Sequence, residues 1–90
     1  MRLVWSARAW NDYVHWQQTD MTIVQRINAL IKDTTRGPFD GIGKPEPLKR
    51  EFKGWWSRRI TGSDRLIYRV EGKGDDRFLE IASCRWHYER

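Results

Sequence analysis

TDMTIVQRINALIKDTTRGP, residues 19–38, is the stretch on which the fold turns. Ile23, Val24, Ile27, Leu30 and Ile31 recur at i, i+4, i+7 and i+8, which gathers them on one side of an α-helix and predicts that this side is buried. Thr19 or Asp20 supplies an oxygen to cap the first turn. The helix is expected to stop at Thr35-Arg36-Gly37-Pro38, with Gly37 in the left-handed conformation past the last turn and Pro38 preventing continuation.

Upstream of that helix, Arg2–Trp5 reads as a short strand, and Ser6 is placed to cap a helix running to about Gln18. Ala9, Tyr13, Trp16 and Gln17, with Trp10 and Val14 beside them, give it one largely apolar side, which reads first as core. His15 lies on the other side without chemical company. Almost no linker separates the two helices, so they should form an antiparallel hairpin.

Downstream the period changes. After an irregular loop from Phe39 to Pro47, the runs Leu48–Phe52, Trp55–Ile60, Arg65–Val70 and Arg77–His87 read as strands. Turn residues separate them at Lys53-Gly54, Thr61-Gly62-Ser63-Asp64 and Gly72-Lys73-Gly74-Asp75-Asp76. Leu66, Tyr68 and Val70 alternate with Arg65, Ile67 and Arg69, as in a sheet with one face on helices and one partly exposed. The expected fold class is α+β: a short N-terminal strand and a two-helix hairpin packed on an antiparallel β-sheet.

At 90 residues the chain is expected to be one domain, residues 1–90. No apolar run is long enough to span a bilayer, and Met1–Trp5 leads into a helical pattern without the middle of a signal peptide, so the expected location is the cytoplasm with no membrane association. Cys84 is the sole cysteine, which excludes an internal disulfide and CxxC metal sites. His15 and His87 have no ligand spacing between them. Neither metal nor other cofactor is predicted.

The net charge of +5 is unevenly distributed. Residues 1–43 carry +1, residues 70–90 carry −1, and residues 44–69 carry eight Lys/Arg against three Asp/Glu. This basic run is interleaved with Trp55, Trp56 and Tyr68, offering phosphate contacts and stacking faces suited to a nucleic acid. A solvated sheet face with arginines covering aromatics reads equally well from charge alone.

Within that run, GKPEPLKR (residues 43–50) holds Glu46 between two prolines, each fixing its own φ and biasing its predecessor toward an extended backbone. Following the strands up and down as a meander puts Glu46, Arg65 and His87 at the same end of the sheet. A carboxylate, a guanidinium and an imidazole suit metal-independent RNA cleavage. A base removes the ribose 2′-OH proton, the oxygen attacks the adjacent phosphorus, a cation stabilises the added charge, and an acid protonates the departing 5′ oxygen. Glu46 fits the base if desolvation raises its pKa, Arg65 the phosphate contact, and His87 the acid. Singly, each has an ordinary explanation: a solvated loop glutamate, an arginine paired with Asp64, an idle histidine. Their convergence is what carries the reading.

The opening VWSARAWNDYVHWQQTD, the helix IVQRINALIKDT, the loop RGPFDGIGKPEPLK, the hairpin GWWSRRITGSDRLIYRV and the closing SCRWHY together closely resemble, almost end to end, the Txe/YoeB family of bacterial toxins within the RelE-like superfamily. That resemblance implies the toxin of a type II toxin–antitoxin pair, a ribosome-dependent endoribonuclease that cuts mRNA in the A site. It implies Glu46 as general base, Arg65 as the phosphate-stabilising arginine, His87 as general acid and Tyr88 as the adjacent functional tyrosine, with Lys49, Arg58 and Arg59 as basic positions on the RNA-facing side. It further implies a homodimer, neutralisation by a YefM-like antitoxin, and contact with operator DNA only through the antitoxin complex. Two features depart from the family pattern: a longer turn from Glu71 to Arg77, and Glu89-Arg90 beyond the His-Tyr ending. The competing readings are a non-catalytic relative acting on gyrase, as ParE toxins do, and a basic module that blocks ribosomes by occupancy.

Overall fold

The computed structural model describes residues 1–87. Strand β1 (Arg2–Trp5) leads into helices α1 (Ala7–Thr19) and α2 (Met21–Arg36), followed by β2 (Glu46–Pro47), β3 (Trp56–Arg59), β4 (Arg65–Glu71) and β5 (Phe78–Ser83). Both caps are built as their residue types require. Ser6 Oγ accepts from the Ala9 N–H at 2.9 Å and donates to the Ala82 carbonyl, while Asp20 accepts from Thr22 and Ile23.

The two helices pack on a five-stranded sheet of order β1-β5-β4-β3-β2. The meander from β2 to β5 is antiparallel throughout, but β1 pairs with β5 in parallel, so the sheet is mixed. The helical hairpin carries the chain across the sheet, so the first strand occupies the edge opposite β2. Ala9, Ile27, Leu30, Leu66, Tyr68, Leu79, Ile81 and Cys84 are fully buried between the layers. At the usual 25 cal/mol per Å² of apolar surface, these side chains supply most of what holds helices to sheet.

Three local expectations change. Gly37 is not left-handed: its φ is −154°, and it leaves the helix extended, its N–H still donating to the Asp33 carbonyl. Leu48–Phe52 is not a strand. Only Glu46–Pro47 pairs with β3, after which the Leu48 N–H reaches the Trp55 carbonyl and a single 3₁₀ turn spans Arg50–Phe52. Pro45 and Pro47 bring no N–H to a ladder, and Arg50 at φ 59° turns the chain out of plane. The last strand ends at Ser83 rather than His87. A shift in register, Ile67 facing Ser83 but Tyr68 facing Ile81, leaves Ala82 as a bulge just before that end.

Candidate active site on the open face of the sheet

Cross-strand partners share a face, and the register therefore determines which side chains stand together. Glu46 faces Ser57, which faces Ile67, and Arg59 faces Arg65. With Arg69 two residues beyond Ile67, the face turned away from the helices carries Glu46, Arg59, Arg65 and Arg69. Of the eight Lys/Arg in residues 44–69, Arg59, Arg65 and Arg69 stand there. Glu46, Lys49 and Arg59 are exposed, and Arg65 and His87 are half-buried. Two strand spacings and two residues of rise put the Cα atoms of Glu46 and Arg65 about 12 Å apart, within joint reach of one nucleotide.

Arg65 is oriented by its own turn. Its Nη1 donates to the carbonyls of Thr61, Gly62 and Asp64 at 2.8, 3.3 and 3.1 Å. Among the described residues Nε and Nη2 make no hydrogen bond. The alternative of an ion pair with the Asp64 carboxylate is not what forms: Oδ2 accepts from the Thr61 hydroxyl and Oδ1 from the Trp86 N–H.

His87 reaches the same end of the sheet by another route. Beyond Ser83 the chain is pinned group by group: the Cys84 N–H donates to Asp12, the Cys84 carbonyl accepts from the Trp16 indole, the Trp86 N–H donates to Asp64, and the Trp86 carbonyl accepts from the Arg65 N–H at 3.0 Å. His87 thus follows a residue bonded to the backbone of Arg65. It lines a groove of about 260 Å³ with Arg8, Phe52, Trp55, Ile67, Ala82 and Ser83. Trp55 stacks beneath the Arg69 guanidinium, 4.4 Å from ring centroid to Cζ, and Arg69 is itself neutralised by Glu80 at 2.8 Å. Tyr88 lies outside the described residues.

Arg58 requires the largest correction. It points into the molecule, fully buried, and each of its N–H groups is committed. Nε donates to the Tyr68 hydroxyl, Nη1 to Asp33 Oδ2 and the Ile42 carbonyl, and Nη2 to the carbonyls of Gly37 and Asp40. Alternation explains it. Arg58 shares the inward parity of Trp56 on β3, whereas Ser57 and Arg59 face out. It cannot touch a phosphate, but it ties the 37–42 loop to α2 and the sheet, and the Gly43 carbonyl then accepts from the Arg59 N–H at 2.7 Å, three residues before Glu46. Asp33 is held below its ordinary carboxyl range, first by the Ile42 N–H it accepts and then by Arg58. Burial pushes the Tyr68 phenol up against the opposing pull of Arg58.

Among the described residues no three His, Cys, Asp or Glu side chains gather as a metal site would need, and no helix is long and apolar enough to cross a membrane. Sequence reading missed Asp12, Trp16, Asp33 and Asp64 as the residues that hold the site's backbone. Only Asp64 carried a local signal, the Thr-x-x-Asp spacing of a side-chain-closed turn.

Residues 5–88 match the family described as the YoeB-like toxin of bacterial type II toxin-antitoxin systems. The chain belongs to the YoeB family of toxins. Toxin YoeB of Escherichia coli K12 is 58% identical over 88 residues, covering 98% of this chain and all of that one. The Synechocystis YoeB is 50% identical over the full length of both. Among solved structures, a YoeB/ParE toxin from Agrobacterium tumefaciens superposes with a TM-score of 0.94 at 52% identity, covering 98% of this chain and 100% of that one. YafQ of E. coli, at 21% identity and a TM-score of 0.70, shares the fold. The protein is thus a type II toxin with the helix-on-sheet architecture of YoeB and RelE-like proteins.

Proposed function

We propose that this toxin is a ribosome-dependent endoribonuclease that cleaves mRNA in the A site by acid–base chemistry. The observation that carries the proposal is the convergence on one face: Glu46 and Arg65 share it by strand register, and His87 follows a residue bonded to the Arg65 N–H. Glu46 takes the 2′-OH proton as the 2′ oxygen bonds to the adjacent phosphorus. Arg65, one edge of its guanidinium anchored, presents the other to the phosphate oxygens. The bond to the 5′ oxygen breaks as His87 gives that oxygen a proton, leaving a 2′,3′-cyclic phosphate and a 5′-hydroxyl. Lys49 and Arg59, both exposed, hold the flanking phosphates, Tyr88 completes the acid side, and the reaction uses no metal or cofactor.

Glu46 is exposed in the isolated protein, and docking against the ribosome and mRNA would exclude water from it. This supports ribosome dependence. Partner chemistry follows the same family logic. A Staphylococcus aureus YoeB is described as a dimer, and as a heterotetrameric YoeB–YefM complex. Here Leu3 and Val4 on edge strand β1 and Trp10 on α1 are exposed apolar side chains available to such an interface. A homodimer, a YefM-like antitoxin, operator DNA reached only through that complex, and action in the cytoplasm complete the proposal.

Induction of wild type, Glu46→Ala and His87→Gln in a host without antitoxin, with primer extension on a reporter mRNA, tests it. Wild type should arrest growth with ribosome-phased cuts, and each variant should lose about 10²–10⁴ in cleavage rate. Variants that arrest growth as wild type does, with no cuts in any sample, would establish occupancy or another target such as gyrase.

A further inference from the structure

We propose that Asp64, braced by Thr61, is the positioning residue for the acid step, setting where His87 stands relative to the scissile phosphate. The proposal rests on the nuclease reading above and concerns how the same site is assembled.

Asp64 is buried at 8% exposure, yet neither of its carboxylate oxygens is spent on the neighbouring cationic Arg65. Oδ1 takes the Trp86 N–H at 2.8 Å and Oδ2 takes the Thr61 hydroxyl at 2.8 Å, while that hydroxyl accepts in turn from the N–H groups of Ser63 and Asp64. The carboxylate therefore joins a closed turn on one side to the C-terminal run on the other, across 22 residues of sequence. Trp86 is held at φ 68°, a left-handed conformation that a tryptophan keeps only where its surroundings over-determine it. That conformation directs the next residue, His87, toward the groove beside Ile67 and Ser83. The Arg65 N–H closes the clasp on the Trp86 carbonyl, so the acid and the phosphate-binding arginine are registered through one turn.

Loss of the clasp should disturb proton delivery to the 5′ oxygen more than attack by the 2′ oxygen. A 5′-bridging sulfur separates the two, because a thiolate leaves without being protonated. Single-turnover cleavage on programmed ribosomes should be measured with mRNAs carrying oxygen or sulfur at the scissile 5′ position. With oxygen, Asp64→Ala should be slowed about 10–100-fold, a part of the general-acid contribution, and His87→Gln more. With sulfur, both should approach the wild-type rate, whereas Glu46→Ala should stay slow. Asp64→Asn, whose amide oxygen can still accept from Trp86, should recover most of the oxygen-substrate rate.

Equal slowing of both substrates by Asp64→Ala, or no slowing of either, overturns the inference while leaving the nuclease reading intact, provided His87→Gln shows the sulfur rescue. Wild type that cuts neither substrate, or His87→Gln without rescue, overturns the nuclease or acid assignment and the inference with it. If Asp64→Ala does not accumulate as folded protein, Thr61→Val removes the brace alone and must show the same selective loss, smaller in size; equal effects on both substrates again overturn the inference.

Discussion

Replacing Arg58 by Met keeps an aliphatic stem opposite its cross-strand partner Leu66 and removes the guanidinium. The wild-type group is fully buried and makes five hydrogen bonds, the shortest to Asp33 at 2.6 Å. Breaking a buried ion pair by removing one partner typically costs about 3–5 kcal/mol, because the remaining groups are left desolvated and unpaired. Here the lower end applies. The acceptors at Gly37, Asp40 and Ile42 belong to a half-exposed loop that water can reach, and the Tyr68 hydroxyl still donates to the Pro38 carbonyl at 2.6 Å. About 3 kcal/mol in a domain of this size corresponds to a fall in Tm of roughly 12–24 °C. Thermal unfolding followed by circular dichroism measures it, with Arg59→Met, an exposed neighbour, expected within about 0.5 kcal/mol of wild type. Hydrogen exchange should also show residues 37–46 opening in Arg58→Met before the helices do. An Arg58→Met protein melting within about 3 °C of wild type would refute the reasoning, since the guanidinium would then contribute no more than its own desolvation costs.

Two further expectations follow from titrating groups. The folded protein holds the Asp33 proton less tightly than the unfolded chain, whose ordinary value is 3.8. The unfolded state therefore binds more protons in that range, and the stability Asp33 adds is present above about pH 4 and is lost as the pH falls through its lowered folded value. Asp33→Asn should accordingly lose less Tm than wild type between about pH 5 and pH 2.5, and parallel losses would show that the carboxylate is not linked to folding. Cys84 is fully buried, and its thiol is pushed up to about 12, mainly by burial and further by the charges of Asp12 and Asp64. Iodoacetamide at about pH 8 should leave it unmodified in the native protein and label it fully in guanidinium chloride; rapid native labelling would contradict its placement.

The helical hairpin was legible because its information is local. Ile23, Ile27, Leu30 and Ile31 declare one face by spacing, and Ser6 and Asp20 declare their caps by chemistry. The order of the meander was legible because its turns are short. What escaped sequence reading depends on partners far along the chain. The parallel pairing of β1 with β5 requires knowing to which edge the helices carry the chain. The strand expected at Leu48–Phe52 carries apolar ends but follows two prolines that bring no donors to a ladder. Arg58 sits in a run, WSRRI, whose composition suggests a phosphate-binding surface; parity with Trp56 would have turned it inward, and only its meeting with Asp33 on α2, 25 residues away, makes that tolerable. The placement of Glu46, Arg65 and His87 at one sheet end was readable from the meander, but the route that brings His87 there was not: the Cys84–Trp86 run is held by Asp12, Trp16 and Asp64 rather than by strand pairing.

These two off-ladder anchorages divide the site. The Glu46 side depends on Arg58 gathering the 37–42 loop from inside the protein, and the His87 side depends on Asp64 gathering the chain's end from the β3–β4 turn. Arg65 belongs to the second group, since its N–H and its Nη1 bonds all involve that turn or the run it holds. The proposed base and the proposed acid therefore sit on separately braced supports, with the open face of β3 and β4 between them. A substrate must span that face in one fixed geometry, because proximity contributes to rate only when the reacting groups are aligned. Flexible RNA in solution pays the full entropy of adopting that shape against an exposed Glu46. An mRNA already splayed and held by a large partner does not, and this difference is the physical basis on which the proposed ribosome dependence would rest.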